Sequence, residues 1–335
     1  MSAISRMWYE GRWYQWLLAP LSLLFWGLSA LRRGLFRVGI KKQIRLPVPV
    51  IVVGNISVGG NGKTPLVVAL CDRLTAQGFT VGVVSRGYGA ATKAFPHTVD
   101  VNAQANLVGD EPLLIARRTG VPVVIDPNRP RGAAVLVEAF NCDVIISDDG
   151  LQHYALARDI ECVVVDRRLF GNGFLLPMGP LREGTWRLRT VDYLIVNQSQ
   201  QGVKLPAHLT ACKPVPMQLR PAQLVNVKNP QQHRDIREMK AESTITALAG
   251  IGDPARFFTQ LQDMGLALDH KVALSDHHPI SAADIPVDHC VIMTEKDAVK
   301  AREFAHDNCW YQPVDAVLPE AFYMQLIQQI KRDAQ

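Results

Sequence analysis

The chain lacks the features that define disulfide-rich, fibrous and disordered proteins. Its six cysteines are scattered over 335 residues, with no C-x-x-C pair and no histidine at zinc-finger spacing. This pattern argues against a disulfide framework or a structural zinc site. There is no internal repeat and no low-complexity tract. A composition of 48% hydrophobic and 20% charged residues is that of a globular protein, and the length predicts one large domain or two smaller ones.

Excess positive charge is confined to the N-terminal region. The net charge of the whole chain is +5, but residues 1–45 contain eight Lys or Arg and one Glu, so the remaining residues sum to −2. A slightly acidic body gives no electrostatic support for nucleic-acid binding. We therefore expect no nucleic-acid partner, and no obligate protein partner is evident.

The longest uncharged stretch lies near the N-terminus, from Trp13 to Leu31. As a helix, these 19 residues would extend about 28 Å, the lower limit for crossing a bilayer core. Pro20 and Gly27 interrupt the stretch, and no small-residue cleavage site follows it, so it does not resemble a removable signal peptide. The segment and its flanks are rich in aromatic and basic residues: Trp8, Trp13, Trp16, Trp26, Arg32, Arg33, Arg37, Lys41, Lys42 and Arg45.

This composition predicts association with a membrane surface. Tryptophan favours the headgroup level, and a basic run favours the anionic cytoplasmic leaflet. We expect residues 1–45 to form a membrane-associating helix, and a shallow in-plane anchor is favoured over a true span because the apolar stretch is short and broken. The alternative is a buried core helix with a solvated basic face.

The clearest motif is a glycine-rich loop between an apolar strand (47–53, PVPVIVV) and an apolar helix. It matches the phosphate-binding pattern G-x-x-x-x-G-K-[ST], except that Ser57 replaces the first glycine. Backbone N–H groups of such a loop surround the phosphates of ATP, the lysine contacts the β- and γ-phosphates, and the threonine hydroxyl ligates Mg²⁺. The residues expected to hold the nucleotide are Ser57, Val58, Gly59, Gly60, Asn61, Gly62, Lys63 and Thr64.

Other P-loop classes are disfavoured by what accompanies this loop. Val58 occupies the position of the signature lysine of Min/Par-type ATPases, and the L-S-G-G-Q motif of transport ATPases is absent. The guanine-reading N-K-x-D motif is also missing, since the closest string, Thr294 to Asp297, has its lysine one place too late.

Two acidic strings and two loops carry further candidate chemistry. Asp148 and Asp149 end an apolar strand, which is where P-loop enzymes hold Mg²⁺. The string Asp110-Glu111-Pro112 fits a helix N-terminus. Arg86 and Tyr88 in SRGYG suit a phosphate or a sugar, and the histidines of SDHHP (275–279) are expected to couple to a carboxylate elsewhere in the fold.

Short apolar strands alternate with helical stretches along the first two thirds of the chain. Strands are predicted near 48–53, 81–84, 121–125, 143–147, 161–165 and 193–196. This alternation predicts an α/β fold, a doubly wound and mostly parallel sheet of the P-loop NTPase type. We expect that kinase domain over 46–204, a linker over 205–238, and a smaller C-terminal α/β domain over 239–335 whose first strand begins at Ile245.

Taken together, the motifs resemble the tetraacyldisaccharide 4'-kinase family of lipid A biosynthesis. The resemblance extends from about residue 8 to residue 300, and Ser57 belongs to the family's own pattern. The strings that carry it, in order, are GNISVGGNGKTP, SRGYG, VGDEP, DPNRPRGA, SDDGLQH, PMGPLRE, ALAGIGDPARFF, SDHHP and MTEKDAVK.

The resemblance implies transfer of the ATP γ-phosphate to the 4'-hydroxyl of a tetraacyldisaccharide 1-phosphate, which forms lipid IVA. ATP and Mg²⁺ would be the cofactors. The partners would be the lipid A disaccharide 1-phosphate precursor and the membrane surface, at the cytoplasmic face of the bacterial inner membrane.

The resemblance also assigns roles to residues that match the family's motifs. Asp110 would be the base, paired with His277 in preference to His278, and Lys63 and Asp148 would also be catalytic. Thr64, Asp149 and Glu183 would be associated with the metal. The string PLREGTW departs from the family, which usually has proline after the glutamate. Contacts with the substrate would come from Arg86, Tyr88, Glu111 and Arg129.

Two other functions are compatible with parts of the sequence. One is a membrane-associated P-loop ATPase that acts as a switch or scaffold without a small-molecule acceptor, for which the missing signature lysine is unfavourable. The other is a cytosolic kinase for a soluble sugar or nucleotide, which leaves the Trp-rich basic N-terminus unexplained. ATP turnover that is independent of any glycolipid would favour the first.

Overall fold

The computed structural model describes residues 3–198, 205, 214–242 and 244–333. The described residues form two sheets. The strands, in chain order, are β1 (Val50–Gly54), β2 (Val81–Ser85), β3 (His97–Thr98), β4 (Val123–Ile125), β5 (Val144–Asp148), β6 (Ile160–Val165), β7 (Tyr193–Asn197), β8 (Val215–Pro221), β9 (Leu224–Asn226), β10 (His233–Arg234), β11 (Ile245–Ala249), β12 (His270–Ala273), β13 (Cys290–Thr294), β14 (Cys309–Gln312) and β15 (Val314–Val317).

Helices cover both faces of these sheets. Single turns of 3-10 helix lie at Thr185–Arg189, Glu238–Ala241 and Ala282–Asp284, a longer 3-10 segment at Trp13–Leu18, and a π-helical turn at Met7–Gly11. The α-helices are α1 (Ala3–Arg6), α2 (Ala19–Arg37), α3 (Lys63–Ala76), α4 (Ala105–Val108), α5 (Asp110–Thr119), α6 (Arg129–Phe140), α7 (Pro254–Asp263), α8 (Glu295–Ala301) and α9 (Glu320–Asp333).

The larger sheet has the predicted doubly wound arrangement. Its strand order is β15-β8-β7-β6-β1-β5-β2-β4-β3, and all its pairs are parallel except those made by the two outer strands, β15 and β3. Side chains of β1 alternate between two apolar cores, with Ile51 and Val53 facing α3, α5 and α9, and Val50 and Val52 facing α6. The six strands predicted for this sheet are confirmed. They could be recognised because a strand buried on both faces has a continuous apolar sequence.

The smaller sheet has the order β10-β9-β14-β13-β11-β12, with β11 to β14 parallel. One core packs α7 against the sheet through Phe257, Phe258 and Leu261. A second core on the opposite face contains Val291, Met293 and residues of α8. The predicted second α/β unit that begins at Ile245 is therefore confirmed.

The predicted boundaries of the linker and the smaller domain differ from the structure. Within the expected linker, β8 extends the larger sheet, whereas β9 and β10 belong to the smaller one. At the C-terminus, β15 pairs with β8 and α9 packs in the larger core, because both present apolar side chains to it. Part of the predicted linker, residues 206–213 with Cys212, lies outside the described residues.

Substitution of Leu326 tests this assignment of α9. The side chain is fully buried in the larger core, so Leu326→Ala should lower the free energy of unfolding by about 2–5 kcal/mol. Met324 is exposed on the same helix, and Met324→Ala should change it by less than about 0.5 kcal/mol. Chemical denaturation measures both, and equal effects would contradict the packing of α9 described above.

Candidate active site

The parallel strands of the larger sheet end at one edge, and the loops that follow them surround a cavity. Its volume is about 870 Å³, within the range of small-molecule sites. The wall includes loops after β1, β2, β5 and β6, the first turn of α5, and residues of the smaller domain. The predicted residues that line it are Val58, Gly59, Gly60, Asn61, Gly62, Lys63, Thr64, Arg86, Tyr88, Asp110, Glu111, Arg129, Asp148, Asp149, Glu183 and His277.

The glycine-rich loop between β1 and α3 has the backbone shape that a phosphate needs. Gly59 and Gly62 have φ angles of 114° and 95°, a left-handed conformation that favours glycine. A Cβ at Gly62 would lie 3.1 Å from the side-chain amide nitrogen of Asn197. Helix α3 begins at the next residue, Lys63, so its free N–H groups and partial positive charge suit an anionic ligand.

The Ser57 side chain faces the protein interior. It is buried, it does not line the cavity, and its hydroxyl accepts a hydrogen bond of 3.1 Å from the Asn61 side chain. Arg168 holds the same loop from another side, since its guanidinium donates to the Gly60 carbonyl and to the Asn61 amide oxygen. The Ser57 side chain therefore supports the shape of the loop from within the protein, and a contact between its backbone and the nucleotide stays a prediction.

Lys63 is presented to the cavity by two neighbours. Its Nζ donates to the Asn55 amide oxygen at 3.3 Å and lies 3.4 Å from Asp149 Oδ1. Arg182 donates to both carboxylate oxygens of Asp149. Burial raises the pKa of Asp149, but Lys63 and Arg182 together lower it to about 2. Asp149 is therefore a carboxylate at neutral pH.

Asp148 and Arg129 lie beside each other in the cavity wall, and both are almost fully buried. Ser85 donates to Asp148 Oδ2, while Asp148 Oδ1 has no hydrogen-bond donor among the described residues. Burial, Glu111 and Asp149 raise the pKa of Asp148 to about 6. Arg129 donates to the Asp148 carbonyl at 2.6 Å, and burial lowers its pKa to about 10. Its Nε and Nη1 have no partner within the part of the chain that the structure describes.

The donor chemistry at this end of the cavity fits Mg²⁺. The ion prefers oxygen ligands and usually takes one or two carboxylates, with phosphate oxygens and water completing its shell. Thr64 lies at the start of α3, and Asp148 Oδ1 is a buried oxygen without a partner among the described residues. No group of three His, Cys, Asp or Glu suited to a metal occurs in those residues.

Glu183 is engaged by protein groups. Its carboxylate accepts a hydrogen bond from the Tyr154 hydroxyl and lies 3.5 Å from Arg187 Nε and 3.8 Å from Arg33 Nη1. Two guanidinium groups thus balance its charge, and Arg33 ties it to α2. A role for Glu183 as a metal ligand stays a prediction.

The predicted contact between Asp110 and His277 is present. Asp110 is the first residue of α5, His277 follows β12 in the smaller domain, and Nδ1 lies 3.0 Å from Oδ2. Burial alone would raise the pKa of Asp110, but the hydrogen bond to His277 and the charge of Lys296 lower it. The same bond raises the pKa of His277. His278 instead lies 3.8 Å from Asp284 and does not line the cavity.

The residues predicted to contact the substrate surround this pair. The Tyr88 ring lies 5.2 Å from the His277 ring and is 67% exposed. Arg86 is exposed on the same loop, and Glu111 Oε1 lies 3.3 Å from Lys296 Nζ. A cavity wall with an aromatic ring, a guanidinium and a carboxylate suits a phosphorylated sugar.

The N-terminal segment forms part of this cavity, a contact that its composition did not predict. Phe25, Ser29, Arg32 and Arg33 of α2 line the wall. The segment is attached by polar contacts: Ser22 accepts from Met178 N and donates to the Leu175 carbonyl, both at 3.0 Å, Asn172 donates to Gln15, and Trp8 donates to the Pro177 carbonyl.

The opposite face of the same segment is apolar and exposed. The region Trp13–Arg37 is long and apolar enough to cross a membrane by composition, but only 11% of its most apolar part is buried. This low burial contradicts the alternative prediction that the segment is a buried core helix. The large apolar side chains that are more than half exposed are Trp13, Trp16, Leu17, Leu21, Leu23, Leu24, Trp26, Leu28 and Leu31.

Several residues of the site were not predicted individually. Asn55, Arg168 and Arg182 hold the phosphate loop or Asp149, and Lys296 contacts four groups around Asp110. Asn55, Arg182 and Lys296 lie within strings that carried the family resemblance, GNIS, PLRE and MTEK, so those strings were the available signal. Their partners are distant in sequence, which no local pattern reveals.

Comparison with known proteins gives consistent matches over nearly the whole chain. The family model described as tetraacyldisaccharide-1-P 4'-kinase matches residues 14–331. The tetraacyldisaccharide 4'-kinase of Pseudoalteromonas atlantica is 50% identical over 315 residues, which cover 93% of this chain and 99% of the relative. The Haemophilus influenzae protein of the same name is 47% identical, with coverages of 94% and 92%.

A solved structure has the same fold. The crystal structure of LpxK from Aquifex aeolicus in complex with ATP superposes with a TM-score of 0.79 and 28% identity. The match covers 94% of this chain and 99% of that one.

Proposed function

The chain belongs to the tetraacyldisaccharide-1-phosphate 4'-kinase family, and we propose that it transfers the γ-phosphate of ATP to the 4'-hydroxyl of a tetraacyldisaccharide 1-phosphate. The product is lipid IVA, an intermediate of lipid A biosynthesis. The observation that carries this proposal is that the phosphate loop and the Asp110–His277 pair face one cavity. A kinase requires both a nucleotide site and a base near an acceptor, whereas an ATPase switch requires only the first.

The nucleotide phosphates would lie on the loop 58–64 and the start of α3. Lys63 would contact the β- and γ-phosphates, and the unpaired groups of Arg129 would face the transferred phosphate. Thr64 and Asp148 would hold Mg²⁺ together with Asp149, and the ion would neutralise charge that develops on the phosphate oxygens. Glu183 remains a further candidate for the metal site.

The acceptor hydroxyl would be bound between Asp110 and the nucleotide. Its oxygen forms a bond to the γ-phosphorus while the bond from that phosphorus to the β–γ bridging oxygen breaks, so ADP leaves with the electron pair. The hydroxyl proton passes to Asp110, whose pKa is lowered and which is therefore ionised beforehand. In a loose transition state this proton leaves late, so positioning and electrostatics supply most of the rate. Arg86, Tyr88 and Glu111 would position the sugar.

We further propose that the exposed face of α2 lies against the cytoplasmic leaflet of the inner membrane. That face is apolar, and six basic residues follow it between positions 32 and 45. The opposite face of the helix lines the cavity. Each basic residue near an anionic surface contributes about 1 kcal/mol. An acylated acceptor could thus present its head group to the cavity while its chains remain in the bilayer.

Vesicle binding tests the orientation of α2. Replacing Leu17, Leu24 and Leu31 by serine should weaken binding to anionic vesicles at least about tenfold, because burial of each leucine is worth about 1.5–3 kcal/mol. Activity on detergent-dispersed acceptor should persist. The control Val287→Ser changes an equally exposed apolar residue of the smaller domain and should leave binding intact. Unchanged binding of the triple variant would contradict the proposed surface.

The function itself is tested by transfer of radiolabelled γ-phosphate from ATP to a purified tetraacyldisaccharide 1-phosphate. We expect a labelled bisphosphorylated glycolipid and no comparable ATP turnover without the acceptor. ATP hydrolysis that is indifferent to the glycolipid, with no labelled lipid, would favour the ATPase switch.

A further inference from the structure

Lys296 lies at the centre of the charged groups around the proposed base. It is the second residue of α8 in the smaller domain, and its side chain is 16% exposed. Its Nζ lies 3.1 Å from Asp276 Oδ1, 3.3 Å from Glu111 Oε1, 3.4 Å from His277 Nε2 and 3.7 Å from Asp110 Oδ2. One ammonium group therefore contacts three carboxylates and the far nitrogen of the imidazole.

The contact with His277 determines where the imidazole carries its proton. An ammonium group can only donate hydrogen bonds, so the ring nitrogen that faces it, Nε2, must be the acceptor. The proton of a neutral imidazole is then on Nδ1, which donates to Asp110 Oδ2 at 3.0 Å. A protonated imidazole would place a second N–H against the ammonium, which is unfavourable both sterically and electrostatically.

We propose that Lys296 is a positioning residue that keeps His277 in the neutral Nδ1–H tautomer, and thereby keeps Asp110 oriented and free to accept the hydroxyl proton. This inference rests on the proposed kinase function and adds a residue to it. Lys296 acts through His277 and need not touch the phosphate or the acceptor.

The charges that face His277 come from four parts of the fold. Asp110 approaches from α5, whose Glu111 contacts Lys296. Asp276 precedes His277 on its own loop, and the Tyr88 ring lies on the loop after β2. From α8 come Lys296 and Lys300, and Lys300 is paired with Asp297. Lys296 is thus the cation closest to Nε2 among the described residues, set against carboxylates that favour protonation of the ring.

Removal of this cation should be visible in the pH profile. A positively charged imidazolium would make Asp110 a weaker base, so the neutral imidazole should be the competent form and activity should fall as the pH falls through the pKa of His277. Without Lys296 the carboxylates act unopposed, the pKa of His277 rises, and the acidic limb of kcat/KM should move to higher pH by roughly one unit or more. At neutral pH, kcat should fall roughly 10- to 100-fold. This loss is smaller than the loss of about 10²–10⁴-fold expected when the base itself is removed, because Asp110 is still present.

The experiment compares Lys296→Met, Lys296→Arg and the control Lys271→Met with the full-length wild type, in the glycolipid phosphorylation assay. Arginine keeps the cation, so Lys296→Arg should retain the acidic limb near its wild-type position. Lys271 is exposed on β12, and its ammonium group donates to Gln262 on the surface of the smaller domain, so its variant should match wild type. The KM for ATP should change little in all three variants, because the Lys296 substitutions act on Asp110 through His277 and leave the nucleotide site intact.

Spectroscopy of the wild type tests the tautomer without any variant. In protein labelled with ¹⁵N-histidine, NMR at a pH above the acidic limb of the wild-type profile should show Nε2 of His277 without a proton and Nδ1 with one. A proton on Nε2, or an acidic limb that Lys296→Met leaves in place, would overturn the inference, and the NMR result decides if the methionine variant does not fold. If the wild type forms no phosphorylated glycolipid, the proposed function fails instead, so the two failures are distinguishable.

Discussion

Lys63→Ala should reduce phosphate transfer to the glycolipid at least about 10²–10³-fold, the loss that follows removal of one preorganised group from a transition state that accumulates charge. Lys63 Nζ lies between Asn55 and Asp149 at the N-terminus of α3, so it is oriented before the nucleotide binds. Its positive charge should stabilise the transition state more than the ground state, because negative charge moves onto the β-phosphate during transfer. Both kcat and the affinity for ATP should therefore fall in the variant.

The variant should fold normally, because Lys63 is at the cavity edge and Asp149 keeps Arg182 as a partner. A matched control is Lys93→Ala, which removes an exposed lysine of a loop away from the cavity lining. Steady-state kinetics with varied ATP and varied glycolipid separate the effects on kcat and KM. Near-normal turnover by Lys63→Ala would remove the basis for assigning a nucleotide site to this loop.

The phosphate loop could be predicted from the sequence because its determinants are local. The strand, the glycines and the helix start occur within about twenty consecutive residues, and the left-handed φ of Gly62 explains why the pattern requires glycine there. The apolar strands of the larger sheet were equally evident, since burial on both faces leaves no polar alternation. Ser57 shows the limit of such patterns, because the motif does not say whether a side chain faces the ligand or the protein.

The boundaries at the C-terminal end could not be predicted, because they depend on pairing between distant segments. Strand β8 contains Pro216 and Pro221 and has mixed polarity, which is typical of a linker. It becomes a strand because β7 and the late strand β15 lie on either side of it. Nothing near β15 in the sequence indicates that the chain returns to the larger sheet.

The N-terminal segment illustrates a different limit. Hydropathy identifies Trp13–Leu31 as apolar, but it treats Gln15 and Ser22 as minor interruptions. In the structure these two polar residues make the hydrogen bonds that attach the segment to residues 172–178. The few polar side chains of this helix therefore mark the face that contacts the protein. Hydropathy could not show this, because their partners lie about 150 residues away in the sequence.

Asp110→Asn should lower kcat by about 10²–10⁴-fold, the contribution of a positioned general base, while the KM for ATP changes little. Asparagine has nearly the same shape, and its amide oxygen can still accept the hydrogen bond from His277 Nδ1. The variant therefore keeps an acceptor for His277 Nδ1 and loses the ability to take up a proton, while its NH₂ group replaces the Oδ1 that accepts from the Glu111 N–H. Kinetics at saturating ATP and glycolipid measure this loss, and Asp100→Asn, on an exposed turn, is the control.

The same variant separates two roles for the buried carboxylate. If Asp110 is the base, adding His277→Ala to Asp110→Asn should cost little more than Asp110→Asn alone, since residues that act as a unit are strongly non-additive. If Asp110 instead contacts the nucleotide, kcat at saturation should persist while the KM for ATP rises, and the two substitutions should combine independently. The second outcome would assign proton removal to another group and leave Asp110 as part of the nucleotide site, because a residue whose loss is overcome by more ATP cannot be the acceptor of the hydroxyl proton.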